Sequence, residues 1–330
     1  MTAQRVCSTL ALAAVLSGAQ AQAQESAQES AQIRLGNLKF AHYGAVSYIK
    51  EIAPQCGIKV DEKIFAKGLD VMQAIIAGEL DVGAIASESA IAGRAGAAAI
   101  YIVAGFARGG ARLVARPELN LKSVLDLKGK TVGVPRGSIL EVLLMAELQM
   151  HGLSAGSAPG KDVHVIYQSY PELNHALLGK RIDAIMQSEP QSSQAINQGF
   201  GAELKKPYDT PIGEPVRTLI MTEKFYNEKR ALAEKFMRCF VAATKTFIDD
   251  QAVAEKYVSE VVFNNQITSA DFTDAIANSP YSYDITAQHI QITTDIMVKT
   301  GVGRWTSAPL ATDWVRTDLL DAAKKSLGVK

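Results

Sequence analysis

Short apolar segments alternate with helical segments between residues 33 and 222, and this alternation limits the folds open to the chain. The apolar segments at 33–41, 58–65, 82–86 and 98–106 are predicted strands, and a helix is predicted after each of the first three. Strands and helices at this spacing indicate βαβ units and a parallel sheet. The pattern is interrupted at residues 107–110 and then resumes, so an α/β fold with more than one lobe is expected.

Residues 126–152 form the clearest of these units. Thr131-Val132-Gly133-Val134 reads as a short buried strand, and Pro135-Arg136-Gly137 ends it. Ser138, followed three residues later by Glu141, is a capping box that begins a helix. A helix N-terminus offers free N–H groups and the positive end of the dipole, and Arg136 adds a full charge. The turn at Arg136, Gly137 and Ser138 is therefore a candidate anion site, with a solvated turn arginine as the alternative.

The second half of the chain continues in the same style. Strands are predicted at 163–167, 182–186 and 216–221, helices at 171–178 and 190–198, and an extended segment at 112–116. After Thr222 the chain reads as almost wholly helical, with amphipathic segments around 232–248, 253–262 and 285–298.

Two stretches of the chain resemble each other. AIIAGELDV at 74–82 and ALLGKRIDA at 176–184 each contain a helix end, a charged turn and an aspartate before a strand. The loop after each strand holds an acid, Glu88 or Glu189. Two similar α/β lobes would produce this pattern without a tandem repeat, and chance similarity of βα units is the alternative.

Composition excludes some classes of protein. The chain has 330 residues, 48% of them hydrophobic, which is enough for a sizeable core and suggests two domains. The formal net charge is zero and no basic block stands out, which argues against a nucleic-acid partner.

The N-terminus has the pattern of an export signal. Arg5 precedes an apolar run at 9–16, and Ala19-Gln20-Ala21 and Ala21-Gln22-Ala23 are small-x-small cleavage sites. The run is shorter than the roughly 20 residues that span a bilayer. We expect a signal peptide at 1–23, removed on export, and a flexible leader at 24–32; a disordered Ala/Gln-rich leader is the alternative. No later run is long and apolar enough to cross a membrane, so the mature protein is expected to be soluble.

Cysteine usage and motif searches predict neither a metal site nor an enzyme. Only Cys56 and Cys239 remain after cleavage, and the sequence favours two separate buried thiols over a disulfide, which an oxidising compartment would permit. No Cys/His grouping has metal-ligand spacing. G-x-S-x-G, H-E-x-x-H, the P-loop and G-x-G-x-x-G after a strand are all missing. We therefore predict no catalytic residues and no cofactor.

Three motifs carry a resemblance to a known family: AIIAGELDVGAI at 74–85, DLKGKTVGVPRGS at 126–138 and DAIMQSEP at 183–190. In this order, and behind such a leader, the chain from 33 to 222 resembles the periplasmic binding proteins of ABC importers for sulfonates, taurine, nitrate and thiamine-pyrimidine precursors. The resemblance implies a type II fold with two α/β lobes and hinge crossovers near 107–111 and 216–220. Lobe 1 is then expected at 33–107 and 220–330, with the tail helices returning to it, and lobe 2 at 108–219.

The resemblance also implies where the ligand binds, because in that family it touches the loops after the strands. The same loops follow from the general rule that α/β sheets bind ligands beyond the carboxyl ends of their strands. Arg108, at the proposed hinge, is a further candidate, with a salt bridge there as the alternative. The matching residues are Tyr43, Gly44, Ala45, Gly68, Leu69, Ser87, Glu88, Ser89, Arg136, Gly137, Ser138, Gln187, Ser188 and Glu189.

The types of the candidate residues indicate which classes of ligand the site could bind. Arg136 suits a sulfonate or carboxylate, and Tyr43 either stacks on the ligand or packs in the core. Glu88 and Glu189 do not suit an anion: they either cap helices or accept an N–H group from the ligand, with ligand contact favoured for Glu189. We therefore predict a monomeric periplasmic protein that delivers a small organic anion to an ABC permease. The alternatives are a binder of a pyrimidine or thiamine-precursor heterocycle, and a pyrimidine-precursor biosynthetic enzyme of the same fold, against which the leader and the lack of a clustered Cys motif count.

Overall fold

A computed structural model of the chain describes residues 32–303, 305 and 307–329. The predicted signal peptide, and the predicted leader up to residue 31, lie outside the described residues. Within the described ranges, no helix is both long and apolar enough to cross a membrane.

Two β-sheets and twelve α-helices make up the described fold, and the predicted α/β class with two sheets is confirmed. The strands are β1 (Gln32–Leu38), β2 (Lys59–Phe65), β3 (Val82–Ala86), β4 (Ile100–Arg108), β5 (Ala111–Ala115), β6 (Thr131–Val134), β7 (Ala155–Gly156), β8 (Val163–Tyr167), β9 (Ala184–Ser188), β10 (Ala202–Lys205) and β11 (Val216–Thr222). The helices are α1 (Gly44–Ile52), α2 (Gly68–Ile76), α3 (Ser87–Ala95), α4 (Ile139–Met150), α5 (Tyr170–Leu178), α6 (Gln191–Asn197), α7 (Glu223–Glu228), α8 (Arg230–Asp249), α9 (Gln251–Tyr257), α10 (Ser269–Asn278), α11 (Ala287–Thr300) and α12 (Asp318–Ser326).

The first sheet has the strand order β2-β1-β3-β11-β4. β1 pairs in parallel with β2 and β3, whereas β11 is antiparallel to both β3 and β4. Every residue of β3 is buried, as expected of a central strand covered on both faces, while the edge strand β2 alternates partly buried and exposed residues.

The second sheet has the order β10-β5-β9-β6-β8-β7. Its centre is the unit that the sequence identified, in which β6 leads through a turn into α4. Ser138 caps α4 by accepting a hydrogen bond from the Glu141 N–H at 3.3 Å, so the predicted helix start is confirmed. The antiparallel edge strand β10 was not predicted, because its polar residues give it no apolar run.

The chain passes from the first sheet to the second through Gly109 and Gly110. Both have positive φ angles, +69° and +71°, and a Cβ on Gly109 would lie 2.4 Å from the Asn278 carbonyl oxygen. Residues other than glycine rarely adopt this conformation, so two glycines suit this sharp crossing. It lies within the predicted crossover at 107–111.

The return crossing lies earlier than predicted. β11 pairs with β3 and β4 along its length, so residues 216–219, expected in lobe 2, belong to the first sheet. The change of sheet occurs in the loop at 206–215, between β10 and β11. We therefore propose a first lobe formed by residues 32–108 and by the chain from residue 216 onward, and a second lobe formed by residues 111–205.

The helical tail, which the resemblance returned to the first lobe, also contacts the second lobe. Helix α10, which lies in the predicted helical tail but outside its three amphipathic segments, packs against α6 of the second lobe, where Asn197 Nδ2 donates to Asp271 Oδ1 at 2.9 Å. The segment after α10 runs beside the first crossing, and the Gly110 N–H donates to the Asn278 carbonyl at 3.0 Å. The tail thus lies beside the segment in which the chain crosses between the two sheets.

A disulfide joins Cys56 to Cys239, with their Cα atoms 5.8 Å apart. The expectation of two separate thiols was wrong. Helix α8, which carries Cys239, packs against the short helix Ala53–Cys56, and this contact joins residues 183 positions apart. Local sequence patterns do not report contacts at such a distance.

We expect the double variant Cys56→Ser/Cys239→Ser to lose about 2–5 kcal/mol in the free energy of unfolding, because the bond closes a long loop and restricts the unfolded chain. Urea unfolding followed by far-UV circular dichroism measures this loss. Wild-type protein treated with a phosphine reductant is the matched control and should unfold at the midpoint of the variant. Equal midpoints for the oxidised wild type, the reduced wild type and the variant would contradict a disulfide that stabilises the fold.

Candidate functional site

Three cavities lie between the lobes and share Tyr170, at the start of α5. The wide cavity, of about 540 Å³, runs from Lys39 and Phe65 to Gln194. The outer cavity, of about 310 Å³, lies between α2 and the turn at Arg136. These two volumes are typical of small-molecule sites. The inner cavity, of about 20 Å³, lies deeper and has room for about one water molecule.

Arg217 is the cation of the inner cavity. It lies on β11, is only 2% exposed, and its Nε donates to His42 Nε2 at 3.2 Å. Nη2 donates to the Gly110 carbonyl at 3.4 Å, whereas Nη1 has no hydrogen-bond partner among the residues that the structure describes. Since a buried charged donor without a partner costs free energy, Nη1 is suited to bind an anion.

Sequence reasoning missed Arg217 because it fell inside a predicted strand. The strand begins Val216-Arg217-Thr218-Leu219, and the sequence analysis assigned no role to the side chain of Arg217. An arginine within such an apolar run indicates a candidate binding residue, because arginine is rarely fully buried without a partner.

Glu88, at the start of α3, is the acid of the inner and outer cavities. It is 4% exposed, and its Oε1 accepts a hydrogen bond from Ser89 Oγ at 2.9 Å. Its Oε2 and the Ser87 Oγ have no partner within the described ranges. Burial raises the pKa of Glu88, and the positive charge of Arg217 opposes that rise.

His42 connects Arg217 to the short helix Ala41–Tyr43 that follows β1. Because its Nε2 accepts from Arg217, the proton of the neutral ring lies on Nδ1. Burial lowers the pKa of His42 well below its usual value, and the charge of Arg217 lowers it further. His42 is therefore neutral in the folded protein, and Arg217 remains the cation of this cavity.

Aromatic rings form the walls of the inner cavity. Phe40 of the first lobe meets Tyr170 of the second edge to face, with ring centroids 4.9 Å apart. Tyr43 lines the same cavity and also packs on Phe106 at 4.7 Å, so it takes part in both the cavity wall and the core. Rings from both lobes therefore close the inner cavity.

Arg136 lies at the mouth of the outer cavity. It is exposed and stacks on the Tyr167 ring, 4.1 Å from the ring centroid. The Gly137 N–H donates to Glu141 Oε2 at 2.5 Å, and Ser138 Oγ donates to the Pro135 carbonyl at 2.7 Å. Internal partners therefore occupy part of the predicted anion site at this helix start, and the Arg136 side chain is its main cationic group.

The structure brings many of the predicted site residues together around these cavities. Gly68 packs tightly against α3, since a Cβ there would come within 2.5 Å of Ser89 Oγ. The predicted residues that line the inner or the outer cavity are Tyr43, Gly68, Leu69, Glu88, Ser89, Arg136, Gly137, Ser138 and Ser188.

Four other predicted residues line none of the three cavities and lie in the packed interior next to them. Gly44 lies against Val258, which a Cβ would approach to 2.4 Å, and Ala45 is buried in the cluster that α1 forms with the tail. Gln187 Nε2 donates to the Tyr170 carbonyl at 2.9 Å, and Ser87 is fully buried. In this structure these four residues lie behind the cavity walls, and their contact with a ligand stays a prediction.

Glu189 has internal partners in place of the ligand contact that the sequence favoured. It is fully buried, and its Oε1 lies 2.8 Å from Arg112 Nε and accepts from Asn278 Nδ2 at 2.6 Å. Its Oε2 accepts from the N–H and Oγ of Ser193 at 3.1 and 2.6 Å. With both oxygens occupied, Glu189 joins the second lobe to the tail.

Arg108 lies at the first crossing, outside the three cavities. Its guanidinium lies 3.7 Å from Glu214 and 3.4 Å from Asp284, and its side chain is 43% exposed. This placement matches the hinge salt bridge that was the alternative. Among the described residues, no cluster of three or more His, Cys, Asp or Glu side chains could hold a metal ion.

The buried His42 predicts a pH dependence of stability. Because folding lowers its pKa, the folded protein binds fewer protons than the unfolded chain below about pH 6.5. The free energy of unfolding of the wild type should then fall on acidification, relative to His42→Gln, by up to about 1.4 kcal/mol per pH unit. Urea unfolding of both proteins between pH 7.5 and 5.5 measures the difference, and identical pH slopes would contradict a neutral His42.

Comparisons with known proteins show which family this fold represents. The model of the NMT1-like family matches residues 26–262, most of the chain. An ABC transporter periplasmic binding protein of Brachyspira hyodysenteriae is 22% identical over 227 residues, covering 64% of this chain and 64% of that protein. A binding protein of Brucella abortus is 32% identical over 142 residues, covering 42% of this chain and 41% of that protein. The matches thus span less than two thirds of each relative.

Solved structures show the same fold at low sequence identity. The alkanesulfonate-binding protein SsuA of Xanthomonas axonopodis, bound to MOPS, is 19% identical with a TM-score of 0.72, and the match covers 87% of this chain and 98% of that one. The nitrate-binding protein NrtA of Synechocystis is 16% identical with a TM-score of 0.71, over 91% of this chain and 90% of that one. The chain therefore belongs to the NMT1-like family and has the two-lobed fold of the periplasmic binding proteins of ABC importers.

Proposed function

We propose that this chain is an exported solute-binding protein that captures a small organic anion, a sulfonate or a carboxylate, between its lobes and delivers it to an ABC permease. The observation that carries the proposal is Arg217, whose guanidinium is buried in the inner cavity with Nη1 free of partners among the described residues. A permanent charge at this depth favours an oxyanion, which can accept the N–H bonds that Nη1 leaves free.

Each lobe contributes a cation, which supports the capture of an anion between the two lobes. Arg217 belongs to the first lobe and Arg136 to the second, and their cavities share Gly68, Glu88 and Tyr170. An anion that contacts both lobes stabilises their closed arrangement, because its contacts with the second lobe exist only when the lobes meet. The crossing at Gly109 and Gly110 is then the hinge.

The names of the similar proteins support the same class of ligand and the same class of protein. The similar structures come from proteins named as binders of alkanesulfonate and nitrate, which are both anions. The curated relatives are named as binding proteins rather than enzymes, and one as periplasmic, which agrees with the predicted export signal and with the absence of a predicted catalytic role. We propose a monomer that meets its permease after closure.

Arg217→Met tests the proposal. The change keeps an unbranched side chain but removes the buried charge, and we expect the affinity for the bound anion to fall by about 1.5–3 kcal/mol, or roughly 10- to 150-fold. Arg136→Met, at the exposed mouth, should cost less because water screens its charge. Isothermal titration calorimetry with short-chain sulfonates and carboxylates measures both changes.

Arg181→Met is the matched control, since Arg181 is an exposed arginine of the second lobe that lines none of the three cavities. Its affinity should equal that of the wild type. Near-UV circular dichroism shows whether each variant is folded. Unchanged affinity in a folded Arg217→Met protein would remove the anion-binding role of Arg217.

A further inference from the structure

Helix α10 of the tail lies along the boundary between the two lobes. The chain enters it after Gln266, which lines the wide cavity. Its last residue is Asn278, whose carbonyl accepts from the Gly110 N–H of the first crossing. Between these ends α10 contacts the short helix Ala41–Tyr43 of the first lobe and α6 of the second. The helix therefore runs from a cavity between the lobes to the segment that joins them.

One side of α10 is apolar and is packed into the first lobe. Phe272, Ala275 and Ile276 are no more than 7% exposed, and they share a buried cluster with residues of α1, α8 and α9. Moving α10 away from the first lobe would return this apolar surface to water, which is unfavourable. The apolar side therefore fixes α10 to the first lobe.

The other side of α10 contacts the second lobe through polar residues. Asp271, Asp274 and Asn278 follow the spacing i, i+3 and i+7, which places them on one face of the helix. Contacts of this polar kind are typical of interfaces between domains that move relative to each other. The partners are Asn197 Nδ2 for Asp271 Oδ1 at 2.9 Å, Arg112 Nη1 for Asp274 Oδ2 at 2.8 Å, and Glu189 Oε1 for Asn278 Nδ2 at 2.6 Å.

The groups on both sides of this polar contact have other partners when the second lobe moves away. Arg112 Nε lies 2.8 Å from Glu189 Oε1, so the two buried ions of the second lobe stay paired with each other. On α10, Asp271 Oδ2 accepts from the Thr268 N–H, and the Asp274 side chain is 37% exposed to water. Separation therefore costs much less on the polar side of α10 than on its apolar side.

We propose that α10 is a clasp: its apolar side stays in the first lobe, while its polar face of Asp271, Asp274 and Asn278 binds the second lobe when the lobes meet and releases it when they separate. Asn278 lies beside the first crossing, so Asp271 is the end of the clasp that separates most. The clasp shifts the balance of open and closed states through residues that line none of the three cavities. This inference rests on the lobe closure of the proposed function, but not on the ligand.

Asn197→Asp tests the clasp at this outer end. The change keeps the size of an exposed side chain but sets a second carboxylate against that of Asp271, and like charges at this distance repel. Double electron–electron resonance between spin labels measures the response in ligand-free protein. The labels are attached through Gln73→Cys in the first lobe, Gln149→Cys in the second and Thr273→Cys in α10, all exposed positions, while the native cysteines are joined in the disulfide.

We expect Asn197→Asp to lengthen and broaden the distance distribution between labels 149 and 273, and to leave that between labels 73 and 273 unchanged. The double variant Asn197→Asp/Asp271→Asn reverses the pair, so an amide again faces a carboxylate and the wild-type distances should return. Asn120→Asp is the matched charge control, since Asn120 is an exposed asparagine of the second lobe, next to the short helix Pro117–Leu119. It should leave both distances unchanged.

An unchanged distance between labels 149 and 273 in folded Asn197→Asp protein would overturn the inference. A longer distance between labels 73 and 273 would also overturn it, because α10 would then move with the second lobe. So would a double variant that keeps the distances of Asn197→Asp. These distances are measured without a ligand, so they test the clasp separately from the anion site at Arg217, which the calorimetric titrations test.

Discussion

The buried guanidinium of Arg217 is the group on which the organisation of the site depends. It sits on β11, the strand that completes the first sheet directly after the chain returns from the second lobe. Two of its nitrogens are held by His42 and by the carbonyl of Gly110, which is part of the first crossing. One side chain thus connects the core of the first lobe, the crossing between the two sheets and the inner cavity. A charge at this position is available to an anion that binds between the lobes, as proposed.

A second buried network joins the second lobe to the helical tail. Arg112 forms two hydrogen bonds to the Asp274 carboxylate, at 2.8 and 3.0 Å, and an ion pair with Glu189. Asp274 belongs to α10 of the tail, whereas Arg112 and Glu189 belong to the second lobe. Removing one partner would leave a buried charge unpaired, which is strongly destabilising. The network explains why both oxygens of Glu189, which the sequence predicted to contact the ligand, have internal partners.

Local patterns predicted much of the fold and part of the site. Alternating strands and helices gave the two sheets, and the Ser138 capping box gave the start of α4, because both depend on neighbouring residues. The partners of Glu189, the cysteine pair and the burial of Arg217 depend on residues far apart in the chain, so periodicity could not reveal them. Arg136 was located correctly in its turn, but its exposure could not be read from the sequence.

A crystal structure of the protein with its tightest-binding small acid tests the central claim most directly. We predict an oxygen of the acid within about 2.7–3.2 Å of Arg217 Nη1, with residues of both lobes around the ligand. An acid bound at Arg136 alone, with Nη1 still without a partner, would contradict this account. So would an acid bound on the outer surface of either lobe.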